Sequence, residues 1–422
     1  MLFKKSKHIL FTVLIIIGFT SCLTKKESKS IESDNINFDH FNHLYKEIGF
    51  NEKKVGIVHI YSEYPDYDFE IEPKEGFTCV DDVARAIVML AKYLEVNGND
   101  EKAYNQLKSL TEFVLQMQNE NGYFNNFIWN DLSINTTYKT SVAELNWWSF
   151  RALWGLESAY NLLKPEEELA NRIEASSEKL IENIKRDLPI TNLQTDFIDN
   201  IEVPTWLPQK YASDQSALLI LGLLKNYERT ADAEIKVLID ALAKGIMIMQ
   251  KGDSDNYPYG AFMSWQNLWH AWGNNQAYAL LKAGQKFKNQ TYIDSALKEI
   301  DNFYPYLLEN GFAEAFWIQS TDGAIFTEVK RNSYPQIAYG LRPMIWATSE
   351  AYSYTKNKKY NNITRELESW LYGQNDAKGN MYDPATGICF DGIKSKKEIS
   401  KNSGAESTIE SLLILLELKK LK

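Results

Sequence analysis

The chain has 422 residues, 44% of them hydrophobic, enough to bury a large core as one big domain or two ordinary ones. Its 46 Lys and Arg against 56 Asp and Glu give a net charge of −10 with no basic stripe, which argues against nucleic acid as a partner. Eleven Trp and 24 Tyr are many for this length; such flat rings fill cores and also serve as stacking platforms.

Residues 1–22 read as an export signal: the charged "KKSKH", the apolar "ILFTVLIIIGF", then "FTSC" ending on Cys22. About eleven apolar residues are too few for a stable membrane-spanning helix. Small residues running up to a cysteine resemble a bacterial lipobox, in which Cys22 is acylated and becomes the mature N-terminus. Phe19 departs from the usual aliphatic at the first position, which leaves plain secretory cleavage open. Residues 23–37 are polar and Lys/Ser-rich, as a flexible tether should be. They lack an acidic run after the cysteine, which favours a periplasm-facing lipid anchor in a bacterial cell envelope. The remaining cysteines, Cys79 and Cys389, either pair in an oxidising compartment or serve as small buried hydrophobes. Five His without HExxH or a Cys/His cluster argue against a structural zinc, and no metal or cofactor is expected.

Residues 38–49 suggest a helix, and 53–75 form a lead-in with a strand-like run at Gly56–Tyr61. From residue 80 onward two kinds of helix alternate. One kind is apolar all round, beginning near residues 82, 143, 214, 274, 335 and 405; such helices are buried on most sides. The other is one-faced, as in 101–118, where Tyr104, Leu107, Leu110, Val114 and Met117 form a single stripe. The spacing gives a repeat of about 60–70 residues and hence six inner/outer hairpins. Links from inner to outer helices are short, such as "EVNGND", whereas the return links are long and aromatic-rich, which puts the variable loops on one face. No linker divides residues 38–422, so they form one domain.

Six such pairs with polar residues at the inner-helix starts resemble the (α/α)6 barrel of the six-hairpin glycosidase-like superfamily. "CVDDVARAIVML" (79–90) and "SGAESTIESLLIL" (403–415) look like the first and last inner-helix starts of some uncharacterised bacterial members. The resemblance implies an all-α toroid with a short extended lead-in. It also implies carbohydrate chemistry, since the fold hosts glycoside hydrolases, polysaccharide lyases and sugar epimerases, but it does not choose among them.

Inner-helix starts converge on a funnel, so their polar residues are the site candidates. Glycoside hydrolysis needs a protonated carboxyl and an ionised one. Glu144, beside Trp147 and Trp148, is the expected general acid, with Asp82 or Asp214 as base. Each has a structural reading as well: Asp81, Asp82 and Asp214 as helix caps, Glu144 as an ion-pair partner of Arg151. Arg85 is placed to pair with Asp81 or Asp82. Asp81, Asn274, Gln276, the rim acid Glu314 and Glu406 would hold sugar hydroxyls, with Trp147, Trp272 and Trp317 stacking the ring. The resemblance implies an inverting course and a wide gap between the acids. If Asp82, Glu144 and Asp214 do not face one cavity within about a sugar's width, the hydrolase assignment drawn from the sequence fails. His270 with Tyr257, Tyr259 or Tyr334 would suit a lyase acting on a uronate, although few rim Arg are available. A glycan-binding lipoprotein that kept the barrel without the chemistry is the third reading.

Overall fold

A computed structural model of the protein describes residues 36–421. The expected export signal, Cys22 and the tether as far as residue 35 lie outside the described residues. Asn37, at the tether's end, donates its side-chain amide to the carbonyls of Pro384 and Ala385.

Among the described residues twelve α-helices alternate between two layers: α1 (Asp39–Leu44), α2 (Val80–Val96), α3 (Glu101–Gln116), α4 (Trp147–Leu163), α5 (Glu167–Asp187), α6 (Ser213–Thr230), α7 (Ala233–Ile248), α8 (Gln276–Phe287), α9 (Gln290–Asn310), α10 (Ala338–Thr355), α11 (Lys358–Glu368) and α12 (Ala405–Lys419). The even-numbered helices are the inner ring. Each packs on the next, and α12 returns to α2 to close the ring, giving the (α/α)6 barrel.

The layers follow from composition. In α4 every residue from Trp148 to Glu157 is buried, because the helix has neighbours on all sides. In α5 the buried Leu169, Ile173, Leu180 and Ile184 form one stripe and the Glu and Lys residues point outward. Neighbouring inner helices approach closely where a side chain is absent. A Cβ on Gly155 of α4 would lie 3.1 Å from Ala84 Cβ and 3.2 Å from Ala84 Cα on α2. Gly155→Leu should therefore force α2 and α4 apart and lower stability by about 1–3 kcal/mol. A reduced urea midpoint would show it, and an unchanged midpoint would refute this packing.

The lead-in differs from expectation. The helix expected over 38–49 stops at Leu44, and Tyr45–Phe50 is instead a strand paired antiparallel with Lys53–Val58. Asn51 and Glu52 connect them with φ of 47° and 64°, the left-handed pair of a tight two-residue hairpin. The strand-like run expected at Gly56–Tyr61 thus begins earlier, at Lys53. This hairpin and α1 cover the ring where α12, α2 and α3 meet.

Short antiparallel strands punctuate the return links, among them Thr195–Ile198 with Ile201–Pro204, and a three-stranded sheet of Leu268–His270, Ala315–Ser320 and Phe326–Asn332. They precede inner-helix starts, so the loop-rich face and the inner N-termini coincide. Cys79 and Cys389 are free thiols, both buried.

Candidate active site

A cavity of about 610 Å³ opens on this face, within the usual range for small-ligand sites. It is eccentric, formed by the starts of α2, α4, α10 and α12 with the loops above them. Carboxylates lining it are Glu75, Asp81, Asp82, Asp391 and Glu406; Arg85 and Arg151 are its cations, and Trp147, Trp148, Trp272 and Tyr339 its principal aromatics.

The start of α2 decides what its two acids do. Cys79 is the cap residue: its Sγ accepts the Asp82 N–H at 3.4 Å. Asn126 accepts the next two, with its carbonyl taking Val80 N–H at 2.8 Å and its side-chain Oδ1 taking Asp81 N–H at 3.0 Å. Neither aspartate is the cap, so both carboxylates are free for other partners.

Those partners are buried arginines. Asp81 receives Arg85 Nη2 at 2.8 Å and Arg151 Nε at 2.9 Å. Burial alone would raise its pKa, but Arg151 and Arg85 outweigh it and hold the carboxyl below its usual range. Asp82 is 5% exposed, 3.4 Å from Arg85 Nη1, and accepts the Cys79 thiol at 3.4 Å. Here burial wins. Asp81 and Glu406 add to it, Arg85 only partly offsets it, and the pKa rises to about 7. The adjacent aspartates are thus pushed apart, one ionised and one able to hold a proton, as acid/base chemistry requires.

Arg85 is the hub. Its Nη1 also reaches Glu406 Oε2 at 2.5 Å, and the guanidinium lies 4.3 Å above the Tyr339 ring. Asp82 Oδ1 and Glu406 Oε2 share this one nitrogen, so they are at most 5.9 Å apart, the sum of the two distances. Arg151 donates to the Tyr339 hydroxyl at 2.7 Å. One turn beyond Glu406, Glu410 accepts Arg342 Nε at 2.6 Å, both side chains being fully buried. Three arginines thus face Asp81, Asp82, Glu406 and Glu410, and the charges balance when Asp82 holds its proton.

The walls add two acids that the sequence reading did not single out. Glu75 accepts the Tyr61 and Thr140 hydroxyls, each at 2.9 Å. Asp391 accepts Gly404 N–H at 2.9 Å and the Ser407 hydroxyl at 2.7 Å, joining a rim loop to the start of α12. Burial raises its pKa, and those two hydrogen bonds pull it partly back. The only signal for Asp391 was its place in the last return link, just ahead of an inner helix. Trp272 reaches the cavity through Gly273, whose φ is +74°; a Cβ there would meet the Trp147 ring at 2.7 Å.

Of the expected site residues, Asp81, Asp82, Glu406, Trp147 and Trp272 come together. The expected trio of Asp82, Glu144 and Asp214 does not, so the hydrolase assignment built on those three fails. Glu144 is exposed on the loop before α4, accepting the Asn146 side-chain amide at 3.1 Å, so the burial beside Trp that a general acid would use is missing. Asp214 is buried outside the cavity, with Oδ2 at 2.8 Å from His270 Nε2 and Oδ1 accepting Gln215 N–H. His270 stacks on Trp272 with ring centroids 3.8 Å apart and does not line the cavity, which removes it as a base there. Gln276 is spent on Ser213 Oγ at 3.1 Å. Asn274 is buried off the cavity, and its Oδ1 finds no partner among the described residues. Glu314 is half-buried at the edge of the three-stranded sheet, and Trp317 lies under Lys330 in that sheet, so neither reaches the cavity. His270, at the end of strand Leu268–His270, takes up the Asp214 carboxylate at the α6 start, and Gln276 at the α8 start turns to Ser213. Among the described residues no group of three or more His, Cys, Asp or Glu is arranged to hold a metal ion.

No protein-family model matches the chain, and no curated protein matches its sequence. Solved structures match its fold. A sugar epimerase from a ruminal bacterium superposes with a TM-score of 0.62 at 11% identity, over 92% of this chain and 96% of the epimerase. A cellobiose 2-epimerase from Bacillus thermoamylovorans gives 0.62 at 12% identity, over 90% and 95%. An α-1,6-mannanase from a Salegentibacter species, described as an inactive variant with two consecutive aspartates changed to asparagine and bound to α-1,6-mannotriose, gives 0.54 at 12%, over 87% and 94%. At such identities the likeness is one of fold. This chain has the barrel fold of these neighbours.

Proposed function

We propose that the chain is a carbohydrate-active enzyme that hydrolyses glycosidic bonds, with Asp82 as general acid and Glu406 as the second carboxylate. The observation that carries this is the shared hold of Arg85 on the two. It fixes an oxygen of each within 5.9 Å of the other in an aromatic-lined cavity, where burial pushes Asp82 toward neutrality. An oxygen separation held under that limit leaves less room than the 6.5–9.5 Å gap of inverting glycosidases and is compatible with the about 5–5.5 Å of retaining ones. It replaces the wide gap implied by the resemblance and supports Glu406 as nucleophile. The mannanase neighbour is inactive when consecutive aspartates are changed, and Asp81–Asp82 is such a pair. Asp81, held by two arginines, would position substrate, with Trp147 and Trp272 stacking it.

The lyase reading loses support. Arg85 and Arg151, which would have to neutralise a uronate, are already paired with carboxylates, and five acids line the same cavity. As part of the proposal, the enzyme is exported and lipid-anchored through Cys22; labelled fatty acid that still incorporates in Cys22→Ala would refute the anchor.

Incubation with α-1,6-manno- and β-1,4-gluco-oligosaccharides should release new reducing ends without an unsaturated, UV-absorbing product. Because Asp82 must be protonated to act, kcat/KM should fall as pH rises through about 7. An unsaturated product would establish the lyase instead. Binding without cleavage would leave a glycan-binding protein.

A further inference from the structure

Trp265 is unusual among the tryptophans. It is 39% exposed, yet it is held as firmly as a core residue. It opens a tight turn in which Leu268 N–H reaches the Trp265 carbonyl at 2.9 Å and Trp265 N–H reaches the Leu268 carbonyl at 3.2 Å. Gln266 takes a φ of 52° to make that turn. The turn is pinned to the three-stranded sheet by Asn267, whose amide donates to the Ile318 carbonyl at 2.9 Å and whose carbonyl accepts Ile318 N–H at 3.0 Å. The indole N–H points at the Gln209 carbonyl at 3.4 Å, and Tyr211 meets the ring edge-on at 6.2 Å. An exposed, preorganised indole is costly to leave in water and ready to bind.

Its position relates it to the cavity. Gln209 donates its side-chain amide to the Leu145 carbonyl at 3.3 Å, two residues before Trp147 in the cavity wall. Exposed Glu144 lies on the same ledge. From the cavity outward the surface therefore runs Trp147, then the Leu145–Gln209 contact, then Trp265 with Tyr211. A lone indole with exposed Gln209, Lys210 and Glu144 nearby is too small an apolar patch for a protein partner. It matches a ligand with one apolar face and hydroxyls around its edge.

We propose that Trp265 is a distal sugar-binding subsite, with Gln209 and Glu144 as its polar edge, which holds a pyranose of a glycan chain extending from the cavity. The substrate is then an oligosaccharide or polysaccharide long enough to cover both places. This rests on the reading of the cavity as a glycan site. It also gives Glu144 a binding role in place of the catalytic one.

The experiment compares wild type with Trp265→Ala and Trp265→Phe on α-1,6-manno- and β-1,4-gluco-oligosaccharides of two to six units. In the wild type kcat/KM should rise with length. In Trp265→Ala it should fall about three- to tenfold on the longest members, the scale of one aromatic stacking contact, and stay within about twofold on the disaccharide. Trp265→Phe should recover part of the loss. Equal losses on short and long members, no loss on either, or no length dependence in the wild type would overturn the subsite and leave the catalytic reading standing. If nothing is cleaved, quenching of tryptophan fluorescence by the hexasaccharides decides. Binding that weakens in Trp265→Ala keeps the subsite while the hydrolase reading fails, and no binding overturns both.

Discussion

Asp82→Asn should lower kcat by about a hundred- to ten-thousand-fold on any glycan the wild type cleaves, the usual yield of one positioned general acid. The amide has nearly the shape of the protonated carboxyl, so the cap from Cys79 and the approach of Arg85 should survive. Stability provides a separate control. Folding moves the Asp82 pKa from 3.8 to about 7, so between those values the folded chain holds a proton that the unfolded chain has released. The wild type therefore loses stability as pH rises across that window, and the asparagine variant lacks this contribution. Thermal melts at pH 8 should find Asp82→Asn no less stable than the wild type. Undiminished turnover in a normally folded variant would take Asp82 out of the mechanism.

The largest stability effect is expected at Glu410. Its carboxylate and the Arg342 guanidinium are both fully buried 2.6 Å apart, with Arg85 Nε 3.6 Å away. Glu410→Gln leaves two buried arginines with one fewer counter-charge, and removing one partner of such a pair costs about 3–5 kcal/mol. The denaturant midpoint should fall accordingly. Glu410→Leu combined with Arg342→Met removes both charges and should recover part of that loss, because the penalty comes from the unpaired ion rather than the missing attraction. A single variant within about 1 kcal/mol of wild type would mean that water reaches this part of the core.

How far the chain could be read in advance depended on which forces act locally. The ring was legible because an inner helix must be apolar on every side, and six such runs stand out from the striped helices between them. Asp81, Asp82 and Glu406 were legible because they stand at the starts of two of those runs. Glu144 was misplaced by the same rule. The apolar run begins at Ala143, but the Asn146 side chain accepts Trp147 N–H and sets the true start there, leaving Glu144 in the loop. Asp214 was placed on the right helix, yet which part of the funnel stays open depends on loop packing, and there His270 takes up the Asp214 carboxylate. The cap was misread too. Asp is a favoured cap and Cys is not, so propensity credited the aspartates with work done by a thiol and by Asn126, which lies 45 residues from Asp81. Asp391 joins the site through the tertiary contact of its loop with the α12 start, which its place in the last return link only hints at.

The Arg85–Glu406 contact joins residues 321 positions apart, across the seam where the first inner helix meets the last. The paired acids are therefore not the property of any single hairpin. A nascent or truncated chain with five hairpins in place would have Asp82 but not Glu406 opposite it, and Arg85 would keep Asp81 and Tyr339 but lack Glu406 and Glu410. Closing so long a loop is among the slower steps available to a fold. On the proposed function, competence for chemistry and completion of the ring are one event, and the proposed activity would report whether the two ends of the chain have met.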